Sequence, residues 1–356
     1  MKLLLAGGGT GGHLFPAVAL AQRLLAHEAD AEALFVGTAQ GIEARILPEL
    51  GLPLVTINVG GLVGKGLLRQ LAMGPRLLAS SWQSARILKK FRPDVVVGVG
   101  GYASGPVLLA AKLLGFPTLI HEQNAALGLT NRLLGRWVDR VCLSFDETHC
   151  SLPSARVVVT GNPLRLGMDD CPPLPNGEPH LLVFGGSRGA RAINQAVTAM
   201  LPHLEPFRGR LHILHQTGSE DLEAVREGYL NAGWDAAGVV PFIDDMPAAY
   251  AQSHLVLCRA GATTLAELTA CGRPAILIPY PHAAADHQTA NAQALAARGA
   301  ALMLPQSEMT PQVLGQLVGD LLENRERLLD MAGSAWALGK KGAAERILAE
   351  CRAIRR

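Results

Sequence analysis

Short apolar runs alternate with longer stretches of helical periodicity along the whole chain. Lys2–Ala6, Ala33–Val36, Val95–Val99, Thr118–His121 and Arg140–Leu143 read as strands. A second series follows at His180–Phe184, Leu211–Gln216, Val239–Phe242, Leu255–Cys258 and Ala275–Pro279. Strands separated by helical segments predict parallel sheets with helices on both faces. Continuous apolar strands such as Val95-Val96-Val97 fit sheets buried on both sides. The expected class is α/β, with two Rossmann-like, doubly wound parallel-sheet domains and an interdomain cleft.

The two halves repeat one plan. Leu3-Leu4-Leu5-Ala6 runs into Gly7-Gly8-Gly9-Thr10-Gly11-Gly12, and Leu181-Leu182-Val183-Phe184 runs into Gly185-Gly186-Ser187-Arg188-Gly189-Ala190. Each is a strand, a glycine turn and the start of a helix. The boundary falls where Asn162-Pro163 and the four prolines of Cys171–Pro179 read as linker. The expected division is residues 1–162, a linker at 163–179, a second domain at 180–340, and a helix at 341–356 packing back on the first domain. Open α/β sheets bind ligands at the carboxyl ends of their strands, so facing sheets would share a cleft there.

Composition narrows the classes. Of 356 residues, 49% are hydrophobic and 17% charged, which excludes disorder. A net charge of +2 and 4% aromatics give no sign of a nucleic-acid binder. The six cysteines form no CxxC pair, and buried thiols in a reducing cytosol are expected. The opening MKLLLA is cut short by Gly7-Gly8-Gly9, below the apolar length of a signal peptide. The stretch 103–120 holds Lys112, Gly105, Pro106, Gly115 and Pro117, and reads as buried helix and strand, not a membrane span. A cytoplasmic protein is expected.

Several segments have the chemistry of a ligand site. Gly7–Gly12 satisfies GxGxxG, but a dinucleotide reading needs an acid at the end of the second strand. Here Val36 is followed by Gly37-Thr38-Ala39-Gln40. Gly60–Gly66 has one residue too few for a P-loop and lacks its Ser/Thr. No Asp-x-Asp pair appears, so neither a metal nor another cofactor is expected. The second glycine loop could hold a pyrophosphate on backbone N–H groups and the Ser187 hydroxyl; the alternative is a tight strand–helix turn. Arg259–Glu267 reads as another helix start, where Glu267 could accept bonds from two ribose hydroxyls or simply suit the helix N-terminus. Gln288 and Asn291 fall on one helix face after an apolar strand.

Together these pieces resemble one family. The marks are Gly9-Thr10-Gly11-Gly12-His13, Gly100–Pro106, His121-Glu122-Gln123-Asn124, Gly161-Asn162-Pro163-Leu164-Arg165, Gly185-Gly186-Ser187, and His287-Gln288 through Asn291-Ala292. In this order they resemble glycosyltransferase family 28, from residue 2 to about 300. The resemblance implies a GT-B fold and inverting transfer of GlcNAc from UDP-GlcNAc to lipid I, the undecaprenyl-pyrophosphoryl-MurNAc-pentapeptide, giving lipid II. It implies Ser187 and Arg165 on the diphosphate and Ile243 on the uracil through its backbone. Ala262, Thr263, Thr264, Leu265 and Ala266 would form the phosphate and sugar turn, with Glu267 on the ribose. Gln288 and Asn124 would hold GlcNAc hydroxyls, and Thr10, Gly11 and Gly12 would close the site. Arg188 departs from the glutamine common at that position and adds positive charge.

Inversion needs a base at the acceptor hydroxyl. His13 and Glu122 are the two candidates. The acceptor is a lipid, and Lys65 to Arg92 carries seven basic residues and no acid. Lys65, Leu67, Leu68, Arg69, Leu71, Met73 and Arg76 are expected to meet an anionic membrane surface, on the cytoplasmic face of the cell membrane. Gly74-Pro75 marks a break, with Pro75 opening a helix. Along that helix Leu78, Trp82, Ala85 and Phe91 could instead face the core. Three rival classes remain open: a UDP-GlcNAc 2-epimerase, a non-enzymatic membrane scaffold and a nicotinamide oxidoreductase.

Overall fold

The computed structural model describes residues 1–59, 73–145, 148, 152–186, 188–283 and 286–356, with the backbone alone for 73–76. The chain divides into two compact units, Met1–Arg165 with Gly342–Arg356, and Leu166–Lys341.

The first unit is built on a seven-stranded parallel sheet. Its strands are β1 (Lys2–Ala6), β2 (Glu32–Gly37), β3 (Leu54–Thr56), β4 (Val95–Gly98), β5 (Thr118–Glu122), β6 (Arg140–Leu143) and β7 (Val157–Val159). Their order is β3-β2-β1-β4-β5-β6-β7. Leu3 pairs with Val95 and Leu5 with Val97. Successive side chains point to opposite faces, so Leu3 and Leu5 pack with helices Gly11–His27 and Ala343–Ile354. Leu4 and Ala6 pack on the other face with helices Met73–Phe91, Ser104–Leu113 and Leu129–Leu134. Truncating one such fully buried leucine to alanine costs about 2–5 kcal/mol.

The second unit carries a six-stranded parallel sheet of β8 (His180–Phe184), β9 (His212–Gln216), β10 (Val239–Val240), β11 (Leu255–Cys258), β12 (Ala275–Leu277) and β13 (Ala301–Met303). The order is β10-β9-β8-β11-β12-β13. Leu181, Val183, Leu255 and Leu257 pack against Ile193, Val197, Leu314 and Val318 from helices Arg191–Met200 and Pro311–Glu323.

Three strands escape the reading of the sequence: β3, β7 and β13. All three lie at sheet edges. At the fourth edge, β10 stops at Val240, not Phe242; the interior strand β12 also ends early, at Leu277, not Pro279. An edge strand pairs on one side only, so it needs fewer residues and a weaker apolar run. Residues 103–120 form a helix and the start of β5, and among the described residues no helix is long and apolar enough to cross a membrane.

Candidate active-site loops

In the first unit the loops after β1, β4 and β5 gather at the carboxyl edge. Gly7 has φ +152° and Gly101 φ +79°. A Cβ on Gly7 would strike the Gly100 carbonyl, and one on Gly101 would strike that of Gly8. The two loops can therefore interlock only as glycine. His13 stands in the first turn of helix Gly11–His27. A Cβ on Gly100 would lie 2.9 Å from its Cδ2 and 3.0 Å from its Nε2, so the bare glycine makes room for the imidazole. His13 Nδ1 is 3.1 Å from Thr10 Oγ1. Gly11 and Gly12 follow Thr10 on the same turn. Arg165 lies in this unit, with its guanidinium 4.6 Å from the Phe15 ring.

Glu122 is 1% exposed. Its Oε1 accepts from the Asn124 amide and side chain, both at 3.1 Å. Its Oε2 accepts from Gly128 N at 2.8 Å and Asn131 Nδ2 at 2.9 Å. Four donors converge on one carboxylate, which thereby builds the loop that presents Asn124. His121 is fully buried beside it. Its Nε2 meets the Gly161 carbonyl at 3.1 Å, and its Nδ1 meets the Gln123 carboxamide nitrogen at 3.2 Å. Burial lowers its pKa to about 4.

In the second unit the loop after β8 lies against the loop after β9. A Cβ on Gly189 would overlap the Thr217 carbonyl, and one on Gly218 that of Arg188. Gln216 ties this region together: its Nε2 donates to the Gly186 carbonyl at 2.8 Å, and its Oε1 accepts from Ile243 N at 2.8 Å. Helix Ala262–Cys271 begins after β11 and carries Ala262, Thr263, Thr264, Leu265, Ala266 and Glu267 in its first turns. The Thr263 hydroxyl is buried with no partner among the described residues. Glu267 is buried, and Tyr250 donates its hydroxyl to Glu267 Oε2 at 3.2 Å. Asn291 donates to the Ala260 carbonyl at 3.1 Å, and Gln288 Oε1 accepts from Tyr280 N at 2.9 Å. These two bonds fix helix His287–Ala296 to the loops after β11 and β12. Ser187 lies outside the described residues.

Two models of known domains match the chain, the glycosyltransferase family 28 N-terminal domain over residues 3–143 and its C-terminal domain over 180–347. The chain belongs to glycosyltransferase family 28. It is 64% identical, over 99% of both chains, to the UDP-N-acetylglucosamine--N-acetylmuramyl-(pentapeptide) pyrophosphoryl-undecaprenol N-acetylglucosamine transferase of Syntrophotalea carbinolica. It is similar to the crystal structure of Acinetobacter baumannii MurG, with a TM-score of 0.80, 36% identity and 99% of each chain covered. The UDP-GlcNAc 2-epimerase of Neisseria meningitidis shares the fold at 16% identity, with a TM-score of 0.66 over 99% of this chain and 100% of that one. Family 28 membership and these neighbours identify the two-sheet architecture as GT-B.

Against this family 28 frame, two residues are missing from the sequence reading. Gln216 gave no signal, because a glutamine at a strand end has no distinctive pattern. The other is Glu43. The sequence offers no acid at the end of β2, yet Glu43 folds back from six residues beyond that strand's last residue and is 1% exposed. The flanking Gly37 and Gly41 were the available signal.

The membrane residues divide. Lys65, Leu67, Leu68, Arg69 and Leu71, and the Gly60–Gly66 stretch, lie outside the described residues; Met73 and Arg76 begin helix Met73–Phe91, whose first four side chains are likewise outside them. Further along this helix the structure corrects the core alternative. Leu78 is 73% exposed and Trp82 58%. Ser80, Ser84 and Leu88 are buried instead, at helical spacing. The serines tolerate burial because each hydroxyl donates to a carbonyl of its own helix, Ser80 to Leu77 at 3.0 Å and Ser84 to Ser80 at 2.7 Å. Ala85 and Phe91 do pack against the core. The Arg86 guanidinium stacks 3.6 Å from the Trp82 ring centroid. Leu113, Leu133 and Trp137, from the other two helices of this face and just beyond them, are also exposed.

Proposed function

We propose that this family 28 chain transfers GlcNAc from UDP-GlcNAc to the MurNAc 4-hydroxyl of lipid I, with inversion at the sugar carbon, giving lipid II. The observation that carries the reading is the 64% identity, over 99% of both chains, to an enzyme of that name. The second unit holds the donor. The N-terminus of helix Ala262–Cys271 and the Gly185–Ala190 loop offer N–H groups to the diphosphate, together with Ser187, and Arg165 adds charge. Glu267 takes the ribose, Ile243 the uracil, and Gln288 and Asn124 the sugar hydroxyls.

His13 is the base. The four donors on Glu122 favour this over the rival carboxylate, which would have to release the loop it builds. For Nε2 to accept a proton, Nδ1 must carry one and donate it to Thr10 Oγ1. The acceptor 4-hydroxyl then gives its proton to Nε2 as its oxygen bonds to the anomeric carbon. The bond from that carbon to the β-phosphate oxygen breaks, and UDP leaves with the electron pair.

The outer face of helices Met73–Phe91, Ser104–Leu113 and Leu129–Leu134 meets an anionic membrane. Leu78, Trp82, Leu113, Leu133 and Trp137 supply apolar surface, and exposed Arg86, Lys89, Lys90, Arg132 and Arg136 supply charge. Between Asn58 and Val138 the only acids are Asp94 and Glu122. Asp94 is paired with Arg355 and Glu122 is buried, so neither opposes that charge. Each well-placed cation adds about 1 kcal/mol at such a surface.

Labelled UDP-GlcNAc, incubated with and without a lipid I analogue, tests the reaction. Acceptor-dependent UDP release with a β-linked disaccharide is expected. UDP-ManNAc formed without acceptor, or binding without product, overturns it. Flotation with vesicles containing anionic lipid tests the surface. Binding should weaken with salt and with Leu78→Ser and Trp82→Ser, and unchanged binding overturns the membrane face.

A further inference from the structure

We infer that Glu43 is a positioning residue for the transfer, acting by fixing the first glycine loop on which His13 is mounted. This rests on His13 being the base.

Glu43 opens the short helix Glu43–Glu49 after β2, and its side chain turns back under the loop. Its Oε2 accepts from Gly9 N at 2.8 Å. Its Oε1 accepts from Thr38 N at 2.9 Å and from Thr38 Oγ1 at 3.0 Å. A Cβ on Gly8, Gly37 or Gly41 would overlap the Glu43 side chain at or near its carboxyl group. Three glycines, Gly8 from the loop after β1 and Gly37 and Gly41 from the end of β2 and its loop, thus wall in one carboxylate, and the space they leave is filled by it.

Two consequences follow. The amide of Gly9, which a glycine loop could turn toward a phosphate, is already spent on an internal anion. The loop is also held at its middle: Gly9 is fixed to Glu43 on one side, and Gly8 meets Gly101 on the other. Thr10 comes next, its carbonyl accepts from the His13 and Leu14 amides, and its hydroxyl meets the imidazole. Displacing Gly9 therefore displaces both the hydroxyl that sets the His13 tautomer and the turn that carries the ring. A misplacement of about 1 Å can cost about a hundredfold in rate.

Every contact on Glu43 is an accepted one, which makes Glu43→Gln informative. The amide has nearly the same shape, but its NH2 must face either the Gly9 N–H or the two Thr38 donors. In the full-length chain, we expect kcat to fall at least tenfold. UDP affinity should stay within twofold and the melting temperature within a few degrees. Amide exchange at Gly9 should accelerate. Thr38→Val, which removes one donor of the three, should lower kcat two- to fivefold and keeps the test open if the glutamine variant folds poorly. Adding Glu43→Gln to His13→Ala should cost little more than His13→Ala alone, because the group being positioned is already gone.

Unchanged kcat in Glu43→Gln with a faster-exchanging Gly9 amide overturns the inference. So does a parallel loss of UDP affinity, which marks general damage, or full additivity with His13→Ala. The base assignment fails separately. Near-normal turnover in His13→Ala removes the base and this inference with it, whereas an unchanged kcat in Glu43→Gln beside a slow His13→Ala removes the inference alone.

Discussion

The two glycine loops occupy the same place in their units, between the first strand and the first helix, yet their undersides differ in charge. Beneath the first lies the Glu43 carboxylate, taking the Gly9 amide. Beneath the second lies the Gln216 carboxamide, which donates to the Gly186 carbonyl and leaves the loop's own N–H groups uncommitted by that contact. An internal anion repels a phosphate, and a neutral amide does not. Two loops that look alike as glycine patterns thus differ beneath, in the sense that fits the roles proposed for them, a base on the first and a diphosphate on the second.

Each loop can be altered on its own by single substitutions. Removing the proposed base should have the largest effect: His13→Ala should lower kcat by about 10²–10⁴ and leave UDP affinity nearly unchanged, read by steady-state kinetics beside UDP titration. Giving the second loop the charge of the first comes next. Gln216→Glu puts a carboxylate under the loop proposed to hold the diphosphate; two like charges about 5 Å apart at an effective dielectric near 20 repel by about 3 kcal/mol, so UDP should bind up to about a hundredfold more weakly. Equal affinity would erase the distinction between the loops. Thr10→Val keeps the ring but loses its hydroxyl partner, and kcat should drop about tenfold at constant UDP affinity.

The smallest effect is on stability and pH. Each sheet buries a neutral histidine, His121 with a pKa lowered to about 4 and His215 with one lowered to about 3, both by burial. Tyr229 and Asn194 hold the His215 ring at 3.1 Å on either side. Unfolded, both titrate near 6.5. Below that pH the unfolded chain binds more protons, so stability is full above about 6.5 and falls as pH drops toward 4 and 3. Each contributes at most a few kcal/mol over that window. Melting temperatures should decline across it, and His121→Gln and His215→Gln should each flatten the slope.

Much of this was legible in advance. Ten strands, both glycine loops and the helix start at Ala262 follow from apolar runs and turn residues, because buried central strands and tight turns constrain residue type strongly. Three of the four edge strands, β3, β7 and β13, did not follow, since each pairs on one side only over three residues. Glu43 left no signal beyond the flanking Gly37 and Gly41, because its partner, Gly9, is 34 residues away and the contact exists only once β1 and β2 are paired. Helix Met73–Phe91 carried two readings, surface or core, and the core alternative failed at Leu78 and Trp82. Pattern reading assigns leucine and tryptophan to the core and serine to solvent, and here Ser80 and Ser84 satisfy themselves while Leu78 and Trp82 stand outside. That reversal leaves apolar side chains exposed on the face proposed to meet the membrane.

The last helix of the chain carries a consequence for synthesis. Ala344, Ile347, Leu348 and Cys351 belong to the core of the first unit, and Arg346 donates to the Thr160 carbonyl. The first unit is thus begun by residue 1 and finished only by Gly342–Arg356, with the whole second unit translated in between. At about 5–20 residues per second, that interval lasts roughly 10–40 s. During it the face of helix Gly11–His27 that will receive the last helix stays uncovered. A nascent chain stalled anywhere in the second unit would present an unfinished first unit to chaperones and proteases, and an enzyme clipped before Gly342 would lose stability in the half of the protein farthest from the cut in sequence.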